Sequence, residues 1–220
     1  RIPLTFTHSN YLYTDASDHT NTGNTLVNLA TDNSITNPDG TTGTVFMTAV
    51  QGDLSRVRVK GIRKAGAAYQ TQTLSCFVKK KTNRYVALSH GGVAQYRGLV
   101  FDFNTETITD HLTGSGFLSI RTGFVKYPNG WYRLFLHTTG ATGGDGFAVH
   151  IPKDPATSKP QTGGTLAYDG TESVYIWGLN CCDVEFLSTY IPNSSNSEIT
   201  QNPDTFTSEA TEVLDRANGT

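Results

Sequence analysis

From residue 44 onward the chain is a succession of short runs rich in β-branched and aromatic residues, separated by turn signals. The intervals suit a β-sandwich, in which strands return on one another through tight turns. They predict strands over Thr44–Val50, Arg56–Arg63, Thr73–Lys79, Asn83–Ser89 and Tyr96–Phe103. A second group is expected over Phe117–Lys126, Trp131–Thr138, Gly146–Ile151 and Ser173–Leu187. Asn37-Pro38-Asp39-Gly40 is a strong turn signal, and Tyr127-Pro128-Asn129-Gly130 reads as a turn feeding directly into a strand. Residues 152–172, with several prolines and glycines, are expected to form a loop. The organisation predicted is a polar N-terminal extension over residues 1–25, an antiparallel sandwich over 26–205, and a tail or linker over 206–220. Only that tail, at Ser208–Leu214, has helix-friendly composition.

Length and composition fit this reading. At 220 residues with 36% hydrophobic, the chain still buries most of its unfolded surface. Charged residues make up 16% and the formal net charge is −2. A duplex-binding protein needs a basic excess to displace counterions, so no nucleic-acid partner is expected. No run of about 18 apolar residues exists, so no membrane insertion is expected. The opening Arg1-Ile2-Pro3-Leu4-Thr5-Phe6 lacks the layout of a secretory signal, and the absent initiator Met suggests a fragment or a processed chain. Cys76, Cys181 and Cys182 make an odd count, read as buried thiols in a chain folded in a reducing cytosol. A bridge from Cys76 to Cys181 or Cys182 stays open at this point.

Alternation along two of the runs carries most of the information, because strand side chains point to opposite sides in turn. In Trp131–His137 one side is Tyr132, Leu134 and Leu136. The other is Trp131, Arg133, Phe135 and His137. In Ser173–Leu179 one side is Val174, Ile176 and Gly178, and the other is Ser173, Tyr175, Trp177 and Leu179. Each strand thus has an aliphatic side for the core and an aromatic, hydrogen-bonding side. Saccharides are held by surfaces of the second kind, with C–H faces on rings and hydroxyls on polar groups. Trp131, Arg133, His137, Tyr175 and Trp177 are therefore the candidate glycan-binding residues. The competing reading is packing, with a loop such as residues 1–30 covering that side. Arg56, Arg58 and Lys60 form a secondary cationic stripe opposite Val57 and Val59. It is read as a charged edge strand or as a contact for acidic glycan or a neighbouring subunit.

Two segments carry a family resemblance. Asn129-Gly130-Trp131-Tyr132-Arg133-Leu134 resembles the "GWYR" strand of carbohydrate-binding-module-like, concanavalin A-like lectin/glucanase-like sandwiches frequent in phage fibre and virion structural proteins. Tyr175-Ile176-Trp177-Gly178-Leu179, followed by Ser188-Thr189-Tyr190-Ile191-Pro192, resembles that family's closing "YLWGAQLE…TSYIPT" signature without a gap. Pro38-Asp39-Gly40-Thr41-Thr42 is similar to its "PDGT" turn, and Phe101-Asp102-Phe103 to its "FDL" strand. The resemblance covers about residues 10–205. It implies a jelly-roll sandwich in a virion appendage made in a bacterial host's cytoplasm, with other virion subunits as partners and a homotrimer as the assembly of a fibre. The family's acidic residue in "QLE" falls on Cys182 here, so no role of that carboxylate carries over. Related sugar-binding jelly rolls hold a structural calcium, for which Asp183 or Glu185 would supply oxygens. Neither sits in a recognisable calcium loop, so no metal residue is assigned and no other cofactor is expected.

Catalytic patterns are thin. Glycoside hydrolysis needs two carboxyl groups flanking the scissile bond. Asp183 and Glu185 would share one strand face, but position 188 is Ser where lectin-like glucanases carry a third acid. Asp102, Glu106 and Asp110 read as solvated groups around a hairpin, and Lys79-Lys80-Lys81 with Arg84 as a solvated turn. No Gly-x-Ser-x-Gly elbow exists, and His8, His19, His90, His111, His137 and His150 show no metal-ligand spacing. The expectation is a non-enzymatic glycan-binding module of a phage virion protein that adheres to host envelope polysaccharide. The alternatives are a purely structural virion decoration or docking domain, and, third, a polysaccharide depolymerase.

Overall fold

Alternating side chains let a strand bury one face and expose the other, and this chain uses that property to build two antiparallel sheets. The computed structural model describes residues 8–10, 27–51, 56–59, 70–91, 96–113, 119–141, 146–156, 168–182, 184–191 and 199–201. In chain order the strands are β1 (His8–Asn10), β2 (Val27–Thr36), β3 (Thr42–Ala49), β4 (Arg56–Val59), β5 (Gln70–Lys80), β6 (Tyr85–Gly91) and β7 (Tyr96–Asp102). They continue with β8 (Thr107–Thr113), β9 (Ser119–Lys126), β10 (Trp131–Ala141), β11 (Gly146–His150), β12 (Ser173–Cys182) and β13 (Ile199–Gln201). One sheet runs β2-β3-β12-β5-β10-β9, the other β4-β11-β6-β7-β8, and β1 pairs with β13. This is the all-β sandwich the sequence predicts. The helix-friendly tail lies outside the described residues. Among those described, the only helical piece is a 3-10 turn at Pro128–Gly130, and no helix is long and apolar enough to cross a membrane.

The core lies between the sheets. Met47, Leu74, Val78, Leu134, Leu136 and Ile176 from the six-stranded sheet pack against Val86, Leu88, Leu99, Phe101 and Val149 from the five-stranded one. Tyr132, Leu134 and Leu136 face inward as the alternation requires. The two predicted turns close hairpins. Asn37 N–H donates to Thr41 O at 2.7 Å between β2 and β3, and Tyr127 N–H donates to Trp131 O at 2.8 Å between β9 and β10.

Three departures have physical causes. Strands β2 and β8 escape the sequence reading because both are sheet edges with one side in water, so their residues are polar and the apolar alternation is weak. The run read as Ser173–Leu187 stops at Cys182, and residues 184–191 leave the ladder. Leu179 points into the core, not to the aromatic side. Strand β12 carries a bulge between Trp177, opposite Phe77, and Asn180, opposite Ser75. The extra residue advances the alternation by one, so Leu179 and Cys181 join the core. Gly178 makes this turn with φ at 58°.

Asp102 and Lys81 are less solvated than expected, while Lys80, Arg84 and Asp110 are exposed as expected. Asp102 is 8% exposed and accepts two hydrogen bonds from Arg84, at 2.9 and 2.6 Å. That guanidinium holds its carboxyl down to about 2. Lys81 Nζ stands 4.2 Å from the Phe46 ring centroid and 4.9 Å from that of Tyr175. All three cysteines are buried and none forms a disulfide, and burial pushes the Cys76 thiol up to about 12.

A Cβ built on Gly178 would stand 3.0 Å from Phe77 Cδ2 and 3.2 Å from the Tyr190 ring. Gly178→Ala therefore combines a left-handed backbone with crowded rings and is expected to lower stability by about 1–2 kcal/mol. Urea unfolding checks this; an unchanged midpoint would show that the bulge is not under this constraint.

Candidate binding cleft on the aromatic face

The outward side of the six-stranded sheet is a grid fixed by strand register. One row across β12, β5, β10 and β9 is Trp177, Phe77, Arg133 and Val125. The row on one side is Phe46, Tyr175, Lys79 and Trp131. Beyond the bulge, Asn180 faces Ser75, Ser75 faces Phe135, and Phe135 faces Gly123. The last row is Cys182, Thr73, His137 and Arg121. Phe77, Trp131 and Tyr175 form a second apolar cluster here, with Phe46, Tyr127, Trp177 and Tyr190 packed against it.

Residues 184–191 return over this grid and close much of it. Ser188 O accepts from Arg133 Nη1 at 2.7 Å, and Val184 O accepts from Thr73 Oγ1 at 2.6 Å. Ser188 Oγ donates to Cys182 Sγ at 3.2 Å. The tyrosine of the segment, Tyr190, packs against Trp177 with ring centroids 4.7 Å apart and planes tilted by 50°. On this side of the sheet Trp131, Arg133 and His137 are only 1%, 3% and 4% exposed. The open side expected at these three positions is closed. Alternation identifies a face but carries no information on what the chain later lays across it. The indole N–H of Trp131 donates to Thr36 O at 2.9 Å, at the β2–β3 corner. Tyr175 is buried as well, donating to Asp32 Oδ2 at 2.8 Å and accepting from Lys81 Nζ at 3.1 Å.

Trp177 is the exception among the five. It is half-buried and lines a cleft of about 440 Å³. Tyr127, Trp177 and Tyr190 wall the cleft, and Phe77 and Arg133 lie among its lining. Pro38 and Asp39 come from the β2–β3 turn, and Leu187, Ser188 and Thr189 from the returning segment. The Phe77 ring sits 5.0 Å from Tyr127 and 5.2 Å from Trp177, both edge-on. Alternation does not single out Tyr127, Tyr190 or Asp39, because none lies on the two strands it reads. The signals that could have found them are the predicted turn at 127–130 for Tyr127, and for Asp39 and Tyr190 their place in segments that carry the resemblance.

The secondary stripe falls elsewhere. Strand register puts Arg56 opposite His150, Arg58 opposite Ala148 and Val57 opposite Val149, all on the five-stranded sheet. Lys60 lies outside the described residues. Asp183 does too, and with it the strand face expected to carry both carboxylates; Glu185 is exposed on the bend after β12. Among the described residues no group of three or more His, Cys, Asp or Glu is arranged to hold a metal ion. Asp39 is the one carboxylate among the cleft residues just named, and its Oδ1 accepts from the N–H and hydroxyl of Thr41 at 3.0 and 2.7 Å. Comparison with known proteins finds no family model that matches the chain and no curated relative.

His137 belongs to the closure. The one hydroxyl hydrogen of Thr73 goes to Val184 O, so His137 Nδ1, 3.0 Å away, is the donor to Thr73 Oγ1. Burial pushes the imidazole below its ordinary 6.5, Glu185 partly opposing and Arg121 adding to the shift. The unfolded chain then takes up a proton that the folded chain refuses. Stability is complete above about pH 6.5 and declines as pH falls below it. His137→Asn is expected to lose roughly 1–2 kcal/mol at neutral pH, from the lost bond and packing, and to lose this share of the acid dependence. Denaturation series at pH 7.5 and 5.5 check both, and parallel curves for the two proteins would contradict them.

Proposed function

We propose that the chain is a non-catalytic glycan-binding module whose site is the Trp177 cleft. The observation that carries this reading is the cleft itself: aromatic walls from Tyr127, Tyr190 and the half-buried Trp177, with Arg133, Ser188 and Thr189 also in the lining. Aromatic faces take the C–H side of a pyranose, and the polar groups take its hydroxyls. The site residues of this reading are Trp177, Tyr127, Tyr190 and Arg133, while Trp131, His137 and Tyr175 support the sheet behind them. Each stacking contact is worth about 1 kcal/mol, so one cleft binds weakly and adhesion depends on many copies. A single carboxylate among the described lining residues supports binding without bond cleavage, since hydrolysis needs a second acid across the bond.

The place of the module in a virion appendage, its homotrimeric assembly, its attachment to host polysaccharide and the jelly-roll winding of the sandwich rest on the resemblance of residues 129–134 and 175–192. A second reading, a structural docking domain, is favoured by one observation: Trp131 and His137 are buried, and the chain's own Ser188 carbonyl already takes one donor of Arg133.

A glycan array followed by titration calorimetry tests the proposal. The chain is expected to retain at least one bacterial surface polysaccharide fragment with an affinity near the millimolar range. Trp177→Leu should weaken that binding about tenfold while circular dichroism stays unchanged. Unaltered binding in Trp177→Leu, or retention of no glycan at all, would favour the docking reading.

A further inference from the structure

Arg133 is the only arginine or lysine among the described residues lining the cleft, and it is 3% exposed. A buried charge needs compensation, because removing it from water is costly. The groups that hold this guanidinium are all neutral. Nε and Nη2 donate to Ser75 Oγ at 3.3 and 3.0 Å, and Nη1 donates to Ser188 O at 2.7 Å. Its carbon lies 5.2 Å from the Phe77 ring centroid, and the phenols of Tyr127 and Tyr190 act on the same charge. Among the described residues no carboxylate forms an ion pair with it, whereas Arg84, Lys81, Lys126 and Lys153 each have one. Desolvation accordingly pushes the guanidinium below the usual arginine value.

Resting on the glycan-binding reading of the same cleft, we infer that its preferred ligand is a negatively charged saccharide, whose carboxylate or phosphate supplies the counter-charge that Arg133 lacks. A guanidinium has five N–H donors, more than its hydrogen bonds to Ser75, Ser188 and Tyr127 employ. An anion in this setting is also less screened by water than one on an open surface. The opposing group is Asp39. It is exposed, and its Oδ1 is already engaged by Thr41, so solvent screens its repulsion.

Calorimetric titration of the intact chain with two matched pairs tests the inference: tetragalacturonate against its full methyl ester, and galactose 6-phosphate against galactose. At least one acidic member is expected to bind about tenfold more tightly than its neutral partner, with the gap narrowing at roughly 0.5 M salt. Whichever acid shows the gap identifies carboxylate or phosphate as the recognised group. Arg133→Gln should abolish the gap. Because that variant removes a buried group and can fail to fold, Asp39→Asn provides a second arm on an exposed residue. It should tighten the acidic ligand about two- to threefold relative to its neutral partner. Equal binding within both pairs, dependent on Trp177, overturns the charge preference and leaves glycan recognition standing. Absence of binding by all four compounds overturns the inference, and glycan recognition falls only if the array is blank as well.

Discussion

Strands β12, β5 and β10 are buried on both faces, and the rest of the structure is arranged around that constraint. One face is aliphatic and meets the second sheet. The other carries Thr73, Ser75, Arg133 and His137 among its rings, and buried polar groups of this kind need partners. Neighbouring strands supply some, as Ser75 does for Arg133 and Thr73 for His137, and residues 184–191 supply others through the carbonyls of Val184 and Ser188. The cover is therefore part of the sheet's hydrogen-bond accounting, and the cleft is the place where it leaves a half-buried ring accessible.

Two corners of the chain meet at that place. The β2–β3 turn brings Pro38 and Asp39, and the returning segment brings Leu187 to Tyr190, on either side of Trp177. Between them the bulge at Gly178 brings Phe77 and Tyr190 close, since any side chain there would stand between the two rings. The geometry of the cleft thus depends on backbone conformation as much as on the residues that line it.

Much of the sandwich is legible in the sequence. Period-two alternation in Trp131–His137 assigns Tyr132, Leu134 and Leu136 to the core, and the turns at 37–40 and 127–130 match the hairpins found. Of the four sheet edges, β4 and β9 are legible, whereas β2 and β8 are polar enough to read as turns. The phase shift at Gly178 leaves no mark in the pattern, so alternation puts Leu179 on the wrong side. Of the candidate glycan residues, only Trp177 and Arg133 line the cleft. Trp131, His137 and Tyr175 have the right chemistry and the right side of the sheet, but exposure depends on a segment tens of residues away. Local pattern does not report such long-range cover.

The three buried thiols have a consequence for where such a chain can persist. No bridge holds the fold, so a reducing environment has nothing to break. Cys76, with its thiol pushed up to about 12, is almost never a thiolate at neutral pH, and the thiolate is the form that oxidants attack. Cys181 and Cys182 are sealed from solvent in the same way. The sandwich is consequently indifferent to redox potential: it can be made in a reducing compartment and operate in an oxidising one without changing a covalent bond.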